Sequence, residues 1–386
     1  MKKNIKIILV LCFTFLLTGC TSILKDKDGK VVQYNVKTVC ETCEKRCENE
    51  ITDTEENNQE IVSEENNQVE NKTEENNEVE QPEKLELTKD EKIKACKDEC
   101  QKTCSQAKET QTGQNLTENI LCRPTDENMI ELYESNNVDL SKLPACKDLS
   151  ISEGKYEGIW TTLFVKPLAW LIVLIGNLVK NYGLSVIIIT ILIRLALYPI
   201  TKKTAVQSEM MKKAQPELQK LESKYSNKND QASQMAKSQE MMAIYKKYNI
   251  NPLSGCLFAL IQIPLFFAFY EALNRLPIIF EGSLLGFNLG ITPSTAIFAY
   301  SKFYYIIIVI LVGVLTFYSF KLNSTASMSA EQAKQMKIMS IFSVVLITFM
   351  SFKVSISIAL YWIFNSAFTV VQNLLVKRGK KNDHII

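Results

Sequence analysis

Residues 187–200 read IIITILIRLALYPI, an apolar run interrupted by one charge, Arg194. An arginine at the centre of a membrane-crossing helix is unfavourable by about 2.5–3.5 kcal/mol on insertion scales. Such a residue requires a water-filled cavity or a charged partner. At 1.5 Å of rise per residue, a position about ten residues into the helix lies roughly 15 Å deep. The rest of the chain has to answer that demand.

Working outward, five runs are long and apolar enough to cross a membrane: about 183–200, 254–273, 298–319, 337–352 and 356–376. The fourth is short and holds several Ser and Thr. The stretch GIWTTLFVKPLAWLIVLIGNLVKN, residues 158–181, is broken by Lys166 and Pro167 and carries Trp160 and Trp170, which suits a helix lying in the interface. The expected fold class is therefore an all-α polytopic membrane protein with five transmembrane helices. No Asp or Glu falls within the third, fourth or fifth run, and Glu271 sits at the end of the second, within reach of Arg194 only if that helix tilts. What the runs offer instead is uncharged polarity: Thr190, Gln262, Thr348, Asn365 and Gln372. Such groups around an arginine suit a hydrated cavity that attracts an anionic guest.

The chain begins with Lys2, Lys3 and Lys6, then IILVLCFTFLL, then LTGC ending at Cys20. This is the layout of a secretory signal peptide (residues 1–19), and it resembles the lipobox of bacterial lipoproteins, in which Cys20 is diacylated. The expected location is the bacterial plasma membrane, with a lipid-anchored N-terminus outside. Five crossings then leave the C-terminus inside. The positive-inside rule agrees: residues 201–250 carry ten Lys and the short basic tail adds Lys377, Arg378, Lys380 and Lys381, whereas 274–297 holds only Arg275. Within 204–250, segments 204–225 and 231–248 flank the turn formers SNKND, predicting a cytoplasmic helical hairpin. Leu218, Leu221 and Tyr225 form one apolar edge; Met235, Met242 and Tyr245 form the other. Those methionines either hold the helices together or contact varied apolar partners.

Residues 20–155 read as an exported, acidic, cysteine-rich region. Cys40, Cys43 and Cys47, and again Cys96, Cys100 and Cys104, lie on single helical faces; Cys122 and Cys146 follow. Two such faces packed antiparallel suit disulfides in an oxidising exterior, with a metal cluster or free thiols as alternatives. Between them EENN occurs three times in an acidic stretch, about 51–90, that buries too little apolar surface to order itself.

A net charge of +2 points to no specific nucleic acid, and the single histidine, His384, is near the end of the chain, so histidine-based catalysis and metal sites are excluded. No phosphate-cradling glycine motif occurs. A Ser-Lys hydrolase fits poorly, because Lys353 lies in an expected turn. An anion transporter or channel remains as an alternative.

YGLSVIIITILIRLALYPI, QPELQKLESKY, YNINPLSGCLFALIQIPLFFAFYEAL and ALYWIFNSAFTVVQN occur in this order over residues 156–378. In combination they resemble the YidC/Oxa/Alb membrane insertases, in a lipoprotein-type form. The resemblance implies a non-enzymatic insertase without cofactor. Five spans would enclose a hydrophilic groove in which the positive charge of Arg194 attracts acidic tails of nascent membrane proteins. It implies Gln262, Trp362, Asn365 and Thr190 as further residues along the substrate path, and the Sec translocon, the ribosome and membrane lipid as partners. The short tail departs from relatives with long basic tails, and the cysteine-rich region has no counterpart in the compact members.

Overall fold

The computed structural model describes residues 22–35, 37–47, 89–107, 113–151, 156–226, 228, 230–251, 254–323 and 330–382. The signal peptide, Cys20 and the EENN segment lie outside them.

Among the described residues the N-terminal part is small and stapled. Strand β1 (Gln33–Tyr34) pairs antiparallel with β2 (Gln114–Asn115). Helices α1 (37–47) and α2 (Lys89–Ala107) are joined by Cys43–Cys100 and Cys47–Cys96. The partner numbers run in opposite senses, so the cysteine faces meet antiparallel. Cys40 is also disulfide-bonded. A further bridge, Cys122–Cys146, spans 24 residues beside α3 (Glu127–Ser135), whose N-cap Asp126 accepts from Met129 N at 3.0 Å. Replacing Cys122 and Cys146 with serine is expected to lower stability by about 3 kcal/mol, since closing a loop of this length restricts the unfolded chain. Thermal unfolding of the full chain with and without the pair checks this.

Next come α4 (Thr161–Val179), which opens with a π-helical turn, and α5 (Tyr182–Ala196). Lys180 in the left-handed region ends α4, and Asn181 caps α5 by accepting from Leu184 N at 2.9 Å. By length and composition α4 could cross a membrane. Its ends, however, bond at one end of the bundle: Trp160 Nε1 donates to Glu271 Oε2 at 2.9 Å, and Asn181 Nδ2 donates to the Ser283 carbonyl at 2.9 Å. The residues that flank α4 on both sides are thus tied to the same end of the bundle.

The run expected as one span over 183–200 is broken. Helix α5 stops at Ala196, and α6 (Tyr198–Tyr225) leaves at 68° to it. Pro199 stands in the first turn of α6, where its missing N–H is tolerated but cannot continue the preceding ladder. The hairpin thus starts at Tyr198 rather than 204 and returns through α7 (Gln231–Lys247), N-capped by Asp230. Helix α8 (Ser254–Asn274) follows, then a short helix (Pro277–Phe280), strands β3 (Ser283–Leu284) and β4 (Phe287–Asn288), and another short helix (Pro293–Phe298). The span expected from 298 begins at Phe303 instead and continues through α9 (Ile306–Asn323). Helices α10 (Ala330–Met350) and α11 (Ile356–Asn382) complete the described chain, and α11 carries the expected tail as helix up to Asn382. The protein is mostly helical. Among the described residues, two helices besides α4, Phe303–Leu322 and Ile356–Arg378, are long and apolar enough to cross, and the bent α5–α6 pair adds a third if counted as one span. Lys337–Met350 is a shorter apolar helix.

The N-terminal part caps the bundle at the end where α8 finishes. Arg275, fully buried, donates from Nε to the Asn119 carbonyl at 2.6 Å and pairs with Glu157 at 2.7 Å and Glu271 at 3.3 Å. Leu121 N donates to the Arg275 carbonyl at 2.9 Å, and Gln114 Nε2 to Asn274 Oδ1 at 2.8 Å. Thr125 and Asp126 donate their N–H groups to Glu281 Oε1 at 2.8 and 3.0 Å. Met129, Leu132 and Tyr133 belong to the same apolar core as Phe269, Leu273 and Ile279. Glu271 is thus committed to Arg275 and Trp160, not to Arg194.

Candidate functional site

Arg194 stands in the last turn of α5, where a cation also complements the helix dipole. Its Nε donates to Asn365 Oδ1 of α11 at 2.6 Å, and a terminal nitrogen donates to Gln262 Oε1 of α8 at 2.6 Å. Gln262 turns its Nε2 to the Tyr361 hydroxyl at 3.0 Å, which fixes which face of the amide meets the arginine. The Tyr361 ring stacks on Phe269 with centroids 4.3 Å apart. Two helices, α8 and α11, thereby hold the guanidinium of α5 through neutral oxygens, the strong form of hydrogen bond because the donor is charged.

The geometry departs from the hydrated cavity expected. Arg194 is 1% exposed, closed in by its neighbours. Gln262 is half-buried and forms the accessible edge of the cluster. Thr190 lies one turn earlier on the same face and is buried, but its Oγ1 donates to the Val186 carbonyl at 2.7 Å. Trp362 stacks on Phe266, 5.4 Å away with the planes 11° apart, and so lies beside the network. Gln372 exchanges hydrogen bonds with Thr201 at 3.0 and 3.2 Å, joining α11 to the start of α6. Buried Asn365, Thr369, Gln372 and Asn373 form a polar stripe on α11. Sequence reasoning misses Tyr361, although its four-residue offset from Asn365 places both on one helical face.

Below the bend, Met211, Ala214, Leu218, Tyr245 and Ile250 make a separate apolar core between α6 and α7. Of the two readings open for Met235 and Met242, packing in the seam is not what is seen: both side chains are exposed. Lys212 Nζ donates to the Leu322 carbonyl at 2.7 Å, tying α6 to the last turn of α9. Across the hairpin, Glu217 binds Lys247 at 2.6 Å and the Tyr248 hydroxyl at 2.8 Å, while Glu240 binds Lys224 at 2.6 Å and the Tyr225 hydroxyl at 2.8 Å. The lysine bonds first, then the tyrosine bonds, hold both carboxyls below the ordinary glutamate range. A lowered folded value stabilises the hairpin above the unfolded pKa, about 4.3, and the benefit disappears as pH falls through the lowered values. Hydrogen exchange, corrected for intrinsic rates, is expected to be unchanged in α7 between pH 7 and 5 and to quicken below about pH 4. A Glu217→Gln, Glu240→Gln chain should lack that step.

The family model of the 60Kd inner membrane protein matches residues 174–383, covering α5 to α11 with the Arg194 cluster inside it. The chain belongs to this family. Within the 60Kd inner membrane protein family, it is 37% identical over 227 residues to the membrane protein insertase YidC of Oceanobacillus iheyensis, covering 58% of this chain and 85% of that one. It is 38% identical over 219 residues to the membrane protein insertase MisCA of Bacillus subtilis, covering 56% of this chain and 79% of that one. A crystal structure of an active YidC insertase with its first transmembrane domain resolved aligns over 64% of this chain and 50% of that chain, at 20% identity and a TM-score of 0.36. The chain is an integral bacterial membrane protein.

Proposed function

We propose that this chain is a membrane protein insertase acting on nascent membrane proteins. One observation carries the reading: a permanently charged guanidinium is held inside an apolar bundle by neutral amides from α8 and α11. An acidic tail approaching the Gln262 edge would meet that charge in surroundings less screening than water. Shortening the apolar distance a tail crosses matters, because each unsatisfied backbone group in lipid is unfavourable by several kcal/mol.

In this proposal Arg194 is the attractor, Gln262 and Asn365 present it, and Thr190 and Trp362 border the client path. The five spans are α5, α8, α9, α10 and α11, with α4 lying in the outer interface. The 198–250 hairpin projects into the cytoplasm, and the cysteine-rich cap is anchored outside through acylated Cys20. The Sec translocon and the ribosome are proposed partners in delivery. The relatives' names favour insertion over anion transport.

The test is complementation in cells depleted of their own insertase. The reporter is a small single-span protein with an acidic translocated tail. Restored insertion supports the proposal; an inert chain present in the membrane at normal abundance overturns it.

A further inference from the structure

At the capped end of the bundle a tight turn holds an apolar side chain out of the protein. Strands β3 and β4 pair around Leu285 and Gly286, whose φ angles are 52° and 81°. Turns of this shape favour Asn-Gly or Gly-Gly, because a side chain at positive φ crowds the backbone. Here the first position is leucine, and it is 88% exposed.

The turn is braced so that Leu285 cannot fold back. Asn181 Nδ2 holds the Ser283 carbonyl, the Tyr305 hydroxyl accepts from Asn288 N at 2.9 Å, and the Tyr304 hydroxyl donates to the Gly286 carbonyl at 3.3 Å. The Phe287 ring packs on Tyr304 and Tyr305 at 5.4 and 5.0 Å. Leu284 closes on Gly183 so tightly that a Cβ there would lie 2.8 Å from the Leu284 Cβ.

Its neighbours place this turn at a membrane boundary. It bridges the first turns of α5 and of the Phe303–Leu322 helix, beside the end of α4. Exposed Leu178, Leu184, Phe303 and Ile307 continue its apolar surface onto those helices. Exposed Lys180 and half-exposed Lys302 stand next to the bracing residues, as amphipathic cations do at the headgroup level.

We propose that the 283–288 turn is a lipid-dipping wedge: Leu285 enters the acyl chains just beneath the phospholipid headgroups, with Lys180 and Lys302 in the headgroup layer. The wedge sets the depth at which α5, and with it Arg194, sits in the bilayer. The proposal rests on the reading of the chain as an integral membrane protein.

The experiment places the full chain in lipid nanodiscs, one copy per disc, as Leu285→Trp and separately as Ile310→Trp. Ile310 is exposed on α9, seven residues into the apolar helix Phe303–Leu322. Added fluorescence over the three native tryptophans is read against lipids brominated at shallow or deep acyl positions and against aqueous iodide. The wedge is supported if Leu285→Trp loses most of its added emission to shallow bromine and little to iodide. Quenching by iodide instead, or by neither quencher, overturns it, the latter meaning that protein covers the tip. Ile310→Trp separates the two readings: quenched by deep bromine, it leaves the membrane reading intact while the wedge fails. If neither variant responds to brominated lipid, both readings fall.

Discussion

Replacing Arg194 with alanine is expected to reduce insertion of a client with an acidic tail by about tenfold or more, a loss of about 1.4 kcal/mol of attraction or greater. The charge is what matters, so Arg194→Lys should retain much of the activity. A lysine ammonium reaches one of the two amide oxygens well, whereas the guanidinium reaches both Asn365 and Gln262 at 2.6 Å. Arg194→Glu should be the most damaging, because it repels the tail. Alanine also strips a charged donor from two partly or fully buried oxygens, a loss of about 1–3 kcal/mol for each group left unsatisfied. Activity must therefore be compared at equal protein abundance, with thermal unfolding measured alongside. A client with a neutral tail separates the effects: it should be spared if Arg194 acts by attraction. Equal loss for both clients would make Arg194 a structural residue only.

The second large effect is expected at Arg275. Removing one partner of a buried ion pair costs about 3–5 kcal/mol, because the remaining charge is stranded. Arg275→Met keeps most of the volume but strands the nearly buried Glu271 and releases the Asn119 carbonyl. The N-terminal cap should then loosen from α8. Limited proteolysis is expected to cut within 113–151 in the variant while sparing the unmodified chain. Adding Glu271→Gln to Arg275→Met should recover part of the loss, since a neutral amide still accepts from Trp160 Nε1. If the cap stays protease-resistant in Arg275→Met, the apolar core around Met129 and Tyr133 holds it without the ion cluster.

Much of the bundle and of its charged centre is legible in the amino-acid sequence. A single arginine in an apolar run demands partners, and two of the uncharged polar residues that the other runs offer, Gln262 and Asn365, touch it. Cysteine spacings of three and four foretell two facing helical edges. The failures have physical causes. Helix α5 ends at Ala196 because Pro199 opens a new helix, and hydropathy alone does not register a bend. The start at Phe303 follows Ser301 and Lys302, a polar pair that the apolar residues on both sides of it outweigh when the run is read by mean hydropathy. The apolar character of Met235 and Met242 fits either the seam or an exposed face, and only the packing shows that the hairpin closes over Met211 and Tyr245. Glu271 and Arg275 stand four apart, a spacing that pairs charges on one helical face, but their burial depends on Asn119, Glu157 and Trp160 arriving from distant segments.

The bend between α5 and α6 has a mechanical consequence. Arg194 lies within one turn of the joint, whereas α6 extends 28 residues beyond it. That arm is about 42 Å long, so a rotation of about five degrees at Leu197, once the Thr201–Gln372 and Lys212–Leu322 bonds give, carries its tip roughly 4 Å while the guanidinium hardly moves. The arrangement is a lever with its fulcrum beside the charge. Large excursions at the far end are geared down to small adjustments of the Asn365 and Gln262 bonds, and a slight repacking around Arg194 is amplified into a displacement that a bulky client or partner would feel.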